Sequence, residues 1–234
     1  MPSLKQIFHR TINKYGWKLE KYPKSKYLLD RLIKNSPNFK FVQVGANDGI
    51  RFDSLYFSVI ANRCPGLVIE ALPDFYERLK QNYADYPEVM PVNIAIHPTE
   101  RQLSIYRVAP EAIKKLPDWV AGIASFKAGH IESHGVPSED VVQEVVECAP
   151  LMEIIERFEC DDALYFQSDT EGFDAEIIKM IDFKKFKPVM IKFESAHLNV
   201  GDKAYCDEAL KGQGYTLFDE GLDTIGYLRG SAFV

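Results

Sequence analysis

Apolar positions set the first division of the chain. Leu4, Ile7, Phe8, Ile12 and Tyr15 recur at helical spacing, and Gly16 offers a stop. A second helix is predicted from Ser25, its N-cap, through Leu28, Leu29, Leu32 and Ile33, with Pro23 and Pro37 marking the breaks. From Phe39 the pattern becomes strand, helix, strand, helix. Phe41-Val42-Gln43-Val44 predicts a short strand ending at Gly45, with a helix within 53–63. Gly66 to Ala71 predicts a second strand, and Pro73 opens a helix holding Phe75, Tyr76, Leu79 and Tyr83. Val89 to Ile96 reads as a third strand, and Gln102 to Val108 as an extra hairpin partner. Residues 109–140 lose periodicity and hold three glycines and three prolines, which predicts a long loop with short helices. Val141 to Glu147 alternates like a strand, and Pro150 to Phe158 reads as helix. Ala163 to Gln167 and Val189 to Phe193 are the fourth and fifth core strands, with helices over 173–181 and 202–212. Tyr215 to Phe218 and Thr224 to Leu228 form a terminal hairpin. The alternation implies an α/β domain with parallel strands and right-handed crossovers. Its expected span is 39–234, behind an N-terminal helical extension of residues 1–38.

Charge refines this picture. The first forty residues hold ten Lys/Arg, Lys5, Arg10, Lys14 and Lys18 among them, against Glu20 and Asp30. That is a net of +8, so the rest of the chain carries −14 of an overall −6. The extension is either a solvated basic face packed on an acidic body or a patch for an acidic substrate, carrier or lipid surface. An acidic body argues against nucleic acid as a partner. Cys64, Cys148, Cys160 and Cys206 form no C-x-x-C pair, so no zinc or redox motif is signalled, and their scatter suits a reducing, cytoplasmic setting. No apolar run approaches a membrane span and no secretory signal is read. A homodimer is compatible with the composition.

Four clusters carry candidate chemistry, each at the end of a predicted strand. Gly45-Ala46-Asn47-Asp48-Gly49 follows the first strand. Small residues let backbone approach a ligand, and the G-x-x-x-G spacing lacks the third glycine of a dinucleotide fingerprint. Asp48 would favour a cationic amino-acid ligand; the alternative is a simple strand-helix turn. Glu70, with Ala71 after it, ends the second strand 21 residues beyond Gly49, where an acid can accept ribose hydroxyls. Asn93 and Ala95, near the end of the third strand, are placed to approach a base. Ser168-Asp169-Thr170-Glu171-Gly172-Phe173-Asp174 follows the fourth strand, at the sheet edge where open α/β folds bind ligands. Asp169 is placed nearest the reacting centre. Glu171 and Asp174 either orient a substrate or simply favour a helix N-terminus; three acids alone assign no metal. Glu194-Ser195-Ala196-His197 follows the fifth strand, so Glu194 and His197 could share that pocket, with His197 or Glu194 as general base. His97, His130 and His134 are weaker candidates, and His9 lies on the first helix, away from the chemistry. In the long loop, Trp119, Ser125 and Phe126 are either lid and substrate wall or ordinary packing.

Residues 41–49 together with Asp169-Thr170-Glu171-Gly172-Phe173-Asp174 resemble the FkbM family of methyltransferases, whose D-x-E-G-x-[ED] signature matches Asp169, Glu171, Gly172 and Asp174. Gln43 stands where that family more often has Asp or another polar residue. The resemblance covers about residues 39–200 and implies a Rossmann-like seven-stranded methyltransferase sheet, with a parallel core and a C-terminal antiparallel hairpin flanked by helices. It implies S-adenosyl-L-methionine as cofactor and O-methylation of a hydroxyl on a sugar, glycan or natural product. A nicotinamide-dependent oxidoreductase fits the acid after the second strand but not the glycine spacing. A non-catalytic scaffold keeping the fold is the third reading. A nucleic-acid methyltransferase is disfavoured, because no N-P-P-[YF] tetrapeptide follows the fourth strand.

Overall fold

Strand residues bury on both sides here, and alternate residues explain how. Phe41, Val68, Tyr165 and Met190 face one layer of helices, while Val42, Leu67, Phe166 and Ile191 face the other. A period of two with both faces covered gives the continuous apolar runs seen in the sequence. The computed structural model describes residues 23–51, 55–117, 120 and 122–230; the helix expected around Leu4–Tyr15, with His9, lies outside them, as does Trp119.

The elements are α1 (Lys24–Asn35), β1 (Phe41–Val44), α2 (Leu55–Asn62), β2 (Gly66–Glu70), α3 (Pro73–Asn82), β3 (Val89–Asn93), β4 (Ala95–Ile96), β5 (Gln102–Val108), α4 (Pro110–Ile113), β6 (Ala124–Ser125), α5 (Ala128–Ser133), β7 (Val141–Ala149), α6 (Leu151–Arg157), β8 (Tyr165–Ser168), α7 (Asp174–Lys179), β9 (Met190–Glu194), α8 (Val200–Gly212), β10 (Tyr215–Glu220) and β11 (Asp223–Leu228). Seven strands form the main sheet in the order β10-β11-β9-β8-β1-β2-β3. β11 runs antiparallel to both its neighbours, and the other pairings are parallel. On one face pack α6, α7 and α8, through residues such as Leu151, Ile177 and Leu210. On the other pack α1, α2 and α3, through Leu32, Leu55 and Leu79.

Two expectations change. The third strand is not continuous over Val89–Ile96: β3 pairs with β2, whereas β4 pairs with β7 in a second sheet ordered β4-β7-β5-β6. The Asn93 side chain causes the break by donating to the carbonyls of Glu70 (2.8 Å) and Ala71 (2.9 Å), which turns the chain out of the first sheet. The second change is at α1, where Ser25 is not the N-cap. Pro23 occupies that position without a side-chain cap. The N–H groups of Lys24 and Ser25 instead donate to the carboxylate of Glu220, at 2.7 and 3.0 Å, from the far end of the chain.

Candidate active site

The parallel register decides which loops meet. Val44 pairs with both Ile69 and Ser168, so the three chain segments that follow leave the sheet side by side. Gly45 lies against the carbonyl of Asp169. A Cβ on Gly45 would sit 1.8 Å from that oxygen, and its φ is +76°. Gly49 (φ +82°) is crowded likewise by Leu79 and Tyr83. Gly49 therefore serves the packing of loop on helix, and Gly45 serves the packing of loop on loop while it also lines the cleft at this edge.

At this edge lies a cleft of about 530 Å³, within the range of small-ligand sites. Glu70 forms part of its wall and is buried. Its two carboxylate oxygens accept from Asn47 N and Leu72 N, both at 2.8 Å. Burial pushes its carboxyl up to about 7, against the pull of those two hydrogen bonds. Beyond Glu70 the lining turns apolar with Leu72, Phe75, Ile94, Ala95 and Ile96. Across from it stand acids. Burial, then the like charges of Asp174 and Glu171, pushes Asp169 up to about 8, although its side chain opens onto the cleft. Burial and then Asp169 push Glu194 up to about 9. Glu194 Oε2 is buried without a hydrogen-bond partner; His197 Nδ1 lies 3.0 Å away but not in hydrogen-bonding geometry. Burial lowers the His197 imidazole, which favours its neutral form. Two cations line the cleft, and each has a carboxylate: Lys192 with Asp223 at 3.0 Å and Arg51 with Asp48 at 2.5 Å. Glu171 holds a left-handed backbone (φ +52°), which a non-glycine residue adopts only at some cost.

The structure brings Gly45, Ala46, Asn47, Glu70, Ala71, Ala95, Ser125, Asp169, Glu171, Glu194 and His197 to this cleft. Others do not come. Asp48 is buried within its own turn, accepting from Ile50 N and Arg51 N, so it offers nothing to a cationic ligand. Asp174 is fully buried, taking Ser168 Oγ at 2.6 Å and Thr170 N at 3.1 Å; it fixes the loop that carries Asp169 rather than touching a substrate. The Asn93 amide is spent on backbone carbonyls, and neither it nor Gly49 lines the cleft. His97 accepts from Thr99 N and Glu100 N and stacks on Phe173, as a turn residue does. The wall also contains Phe75, Ile94, Ile105 and Lys192, which the sequence did not single out. Their burial or charge pairing depends on which elements meet, so no local signal marks them. His134 lines the cleft as well, and its i, i+4 spacing from His130 is a signal the sequence did hold.

A family model described as a methyltransferase FkbM domain matches residues 43–225. Among solved structures, the methyltransferase FkbM from Methylobacillus flagellatus KT is 14% identical with a TM-score of 0.49, over 81% of this chain and 43% of that one. An O-methyltransferase from Bacillus cereus in complex with SAH is 8% identical with a TM-score of 0.45, over 97% of this chain and 92% of that one. The precorrin-6y C5,15-methyltransferase from Geobacter metallireducens GS-15 is 13% identical with a TM-score of 0.42, over 87% and 86%. No curated protein matches.

Proposed function

Because the chain belongs to the FkbM methyltransferase family, we propose that it methylates a hydroxyl on a sugar, glycan or natural product using S-adenosyl-L-methionine. The observation that carries the cofactor reading is Glu70. It is a buried carboxylate at a strand end whose oxygens each accept one backbone N–H and keep a second lone pair for a ribose hydroxyl. The donor set around it fits the rest of such a ligand. Leu72, Phe75, Ile94 and Ala95 offer an apolar slot for a base, and a positive sulfonium would relieve the like-charge crowding that raises Asp169 and Glu194. When bound, the cofactor supplies an activated methyl group.

The chain's own residues do the positioning. Gly45, Ala46 and Asn47 hold the amino-acid end beside the first strand, and Ala71 and Ala95 flank the base. Asp169 lies under the reacting centre, and Glu171 and Ser125 border the acceptor side of the cleft. Glu194 and His197, as a pair, orient the acceptor hydroxyl and take its proton as the new bond forms, a contribution of roughly 10²–10⁴-fold when well placed. Asp174 is a positioning residue, acting through the Asp169 loop. Residues 122–126, in and beside β6 of the second sheet, wall the cleft from water.

Titration of S-adenosylhomocysteine by calorimetry tests the cofactor reading. Glu70→Ala is expected to weaken binding; unchanged affinity removes the ribose assignment. In a methyl-transfer assay on hydroxylated acceptors, His197→Ala is expected to lower kcat while leaving cofactor affinity intact. Full turnover in that variant removes His197 from the proton-accepting pair.

A further inference from the structure

Four side chains from three separate parts of the chain converge at one corner of the cleft. His130 and His134 come from α5 and the residue capping it, Glu171 from the loop after β8, and His197 from the loop after β9. One ligand atom from each lies within 4.8 Å of the others. The three imidazole centroids are 4.8, 5.1 and 5.1 Å apart. His130 and His134 are four residues apart, which puts both rings on one side of α5.

The ring nitrogens of the cluster face one another and the neighbouring carboxylates. His134 Nδ1 lies 2.9 Å from the carbonyl of His130, which can only accept, so Nδ1 carries the hydrogen and Nε2 the lone pair. That Nε2 faces His197 Nε2 at 3.4 Å. The other nitrogen of His197, Nδ1, faces Glu194 Oε2 at 3.0 Å and Glu171 Oε2 at 3.4 Å. The two nitrogens of His197 thus point toward His134 on one side and toward two carboxylates on the other. Glu194 Oε2, buried beside them, has no hydrogen-bond partner. A cation among these atoms would take its ligands from groups that already converge.

We propose that His130, His134, Glu171 and His197 bind a divalent transition-metal cation of the zinc class. Three imidazoles and one carboxylate form a nitrogen-rich set that suits zinc and not magnesium or calcium, which require oxygen. Metal–nitrogen bonds of about 2.0–2.1 Å at tetrahedral angles separate neighbouring ligands by about 3.3–3.4 Å. His130 Nε2 to Glu171 Oε2, at 3.2 Å, and His134 Nε2 to His197 Nε2, at 3.4 Å, already stand near that spacing. The His134 Nδ1–carbonyl bond is the outer contact that orients a metal-bound imidazole. The cation fastens α5, and with it the inserted sheet, to the carboxyl ends of β8 and β9. With His197 engaged as a ligand, proton acceptance in the pair would fall to Glu194, whose carboxyl a neighbouring cation favours in its ionised form. The site itself does not depend on the methyl-transfer reading.

The full chain is stripped with a chelator, and zinc is titrated by calorimetry with the stoichiometry read by elemental mass spectrometry. One zinc per chain is expected, with magnesium failing to compete, and cobalt should give the intense visible absorption of a tetrahedral site. His134→Ala should lower zinc affinity by roughly 100-fold or more, beyond the usual loss of an outer contact, with an unchanged far-ultraviolet circular dichroism spectrum. If that variant does not fold, His130→Ala gives the same reading. No zinc retained by the unmodified chain, magnesium competing equally, or full affinity in the folded histidine variant overturns the proposal. A chain that binds zinc but not S-adenosylhomocysteine overturns the function proposed above and leaves the metal site standing.

Discussion

In the proposed function Glu70 concentrates the chemistry of the cofactor side in one carboxyl. Burial raises it to about 7, so it is half-protonated near neutral pH. Only the ionised form keeps acceptor capacity on both oxygens. Affinity for S-adenosylhomocysteine should therefore rise as pH passes upward through about 7, by roughly five- to tenfold between pH 6 and 8, given about 1.5–3 kcal/mol for a hydrogen bond to a charged group. Calorimetry across that range checks it, with Glu70→Gln expected to flatten the curve; a flat curve in the unmodified chain contradicts the assignment. The same elevation fixes the sign for stability. A carboxyl raised on folding stabilises the folded state in acid, and that contribution is lost as pH rises through about 7. The place of Glu70 on the cleft wall was legible in the sequence because its position at a strand end and its distance from the glycine turn are local facts. Asp48 and Asp174 read the same way but are claimed by N–H and hydroxyl groups of their own loops. Which acids stay available depends on turn geometry that residue spacing does not reveal.

Among the elements, the inserted sheet depends on one buried cation. Arg107 on β5 makes a bidentate pair with Asp74 at the start of α3, at 2.5 and 3.0 Å, and reaches Glu144 on β7 at 3.0 Å. It also lies over the Phe75 ring. Arg107→Ala should destabilise the fold by about 1.5–3 kcal/mol; the remaining acids are more than a third exposed and regain water, which keeps the cost below that of a fully buried broken pair. Urea denaturation measures this, and a loss under about 0.5 kcal/mol, the range of ordinary surface changes, would show that Arg107 does not dock the sheet. Periodicity revealed β5 and most of β7, since alternation is a local signal. It did not reveal that residues 89–96 divide between two sheets, because the break is made by hydrogen bonds from Asn93 to a neighbouring strand.

Across the whole molecule, the two ends of the described chain hold one another. Glu220 on β10 caps α1 through the Lys24 and Ser25 N–H groups, and the Lys24 ammonium sits 3.8 Å from the Phe218 ring centre. A carboxylate at a helix N-terminus both satisfies orphan donors and favours the helix dipole. Glu220→Ala should cost about 0.5–2 kcal/mol, the usual range for a lost cap, with faster amide hydrogen exchange confined to α1; unchanged exchange there would show that α1 is held by its apolar face alone. No described helix is long and apolar enough to cross a membrane. Sequence by itself determined the alternation of strands and helices, the antiparallel close and the two motifs that mark the family. Each is written in nearest-neighbour periodicity or in a short run of residues at the end of a strand. Tertiary structure decided which of the acids face the cleft, what the glycines are for, and that His130, His134, Glu171 and His197 meet. Those outcomes depend on strand register and loop packing, which join residues far apart in the chain; of the last four residues, the spacing of His130 and His134 alone is written in local order.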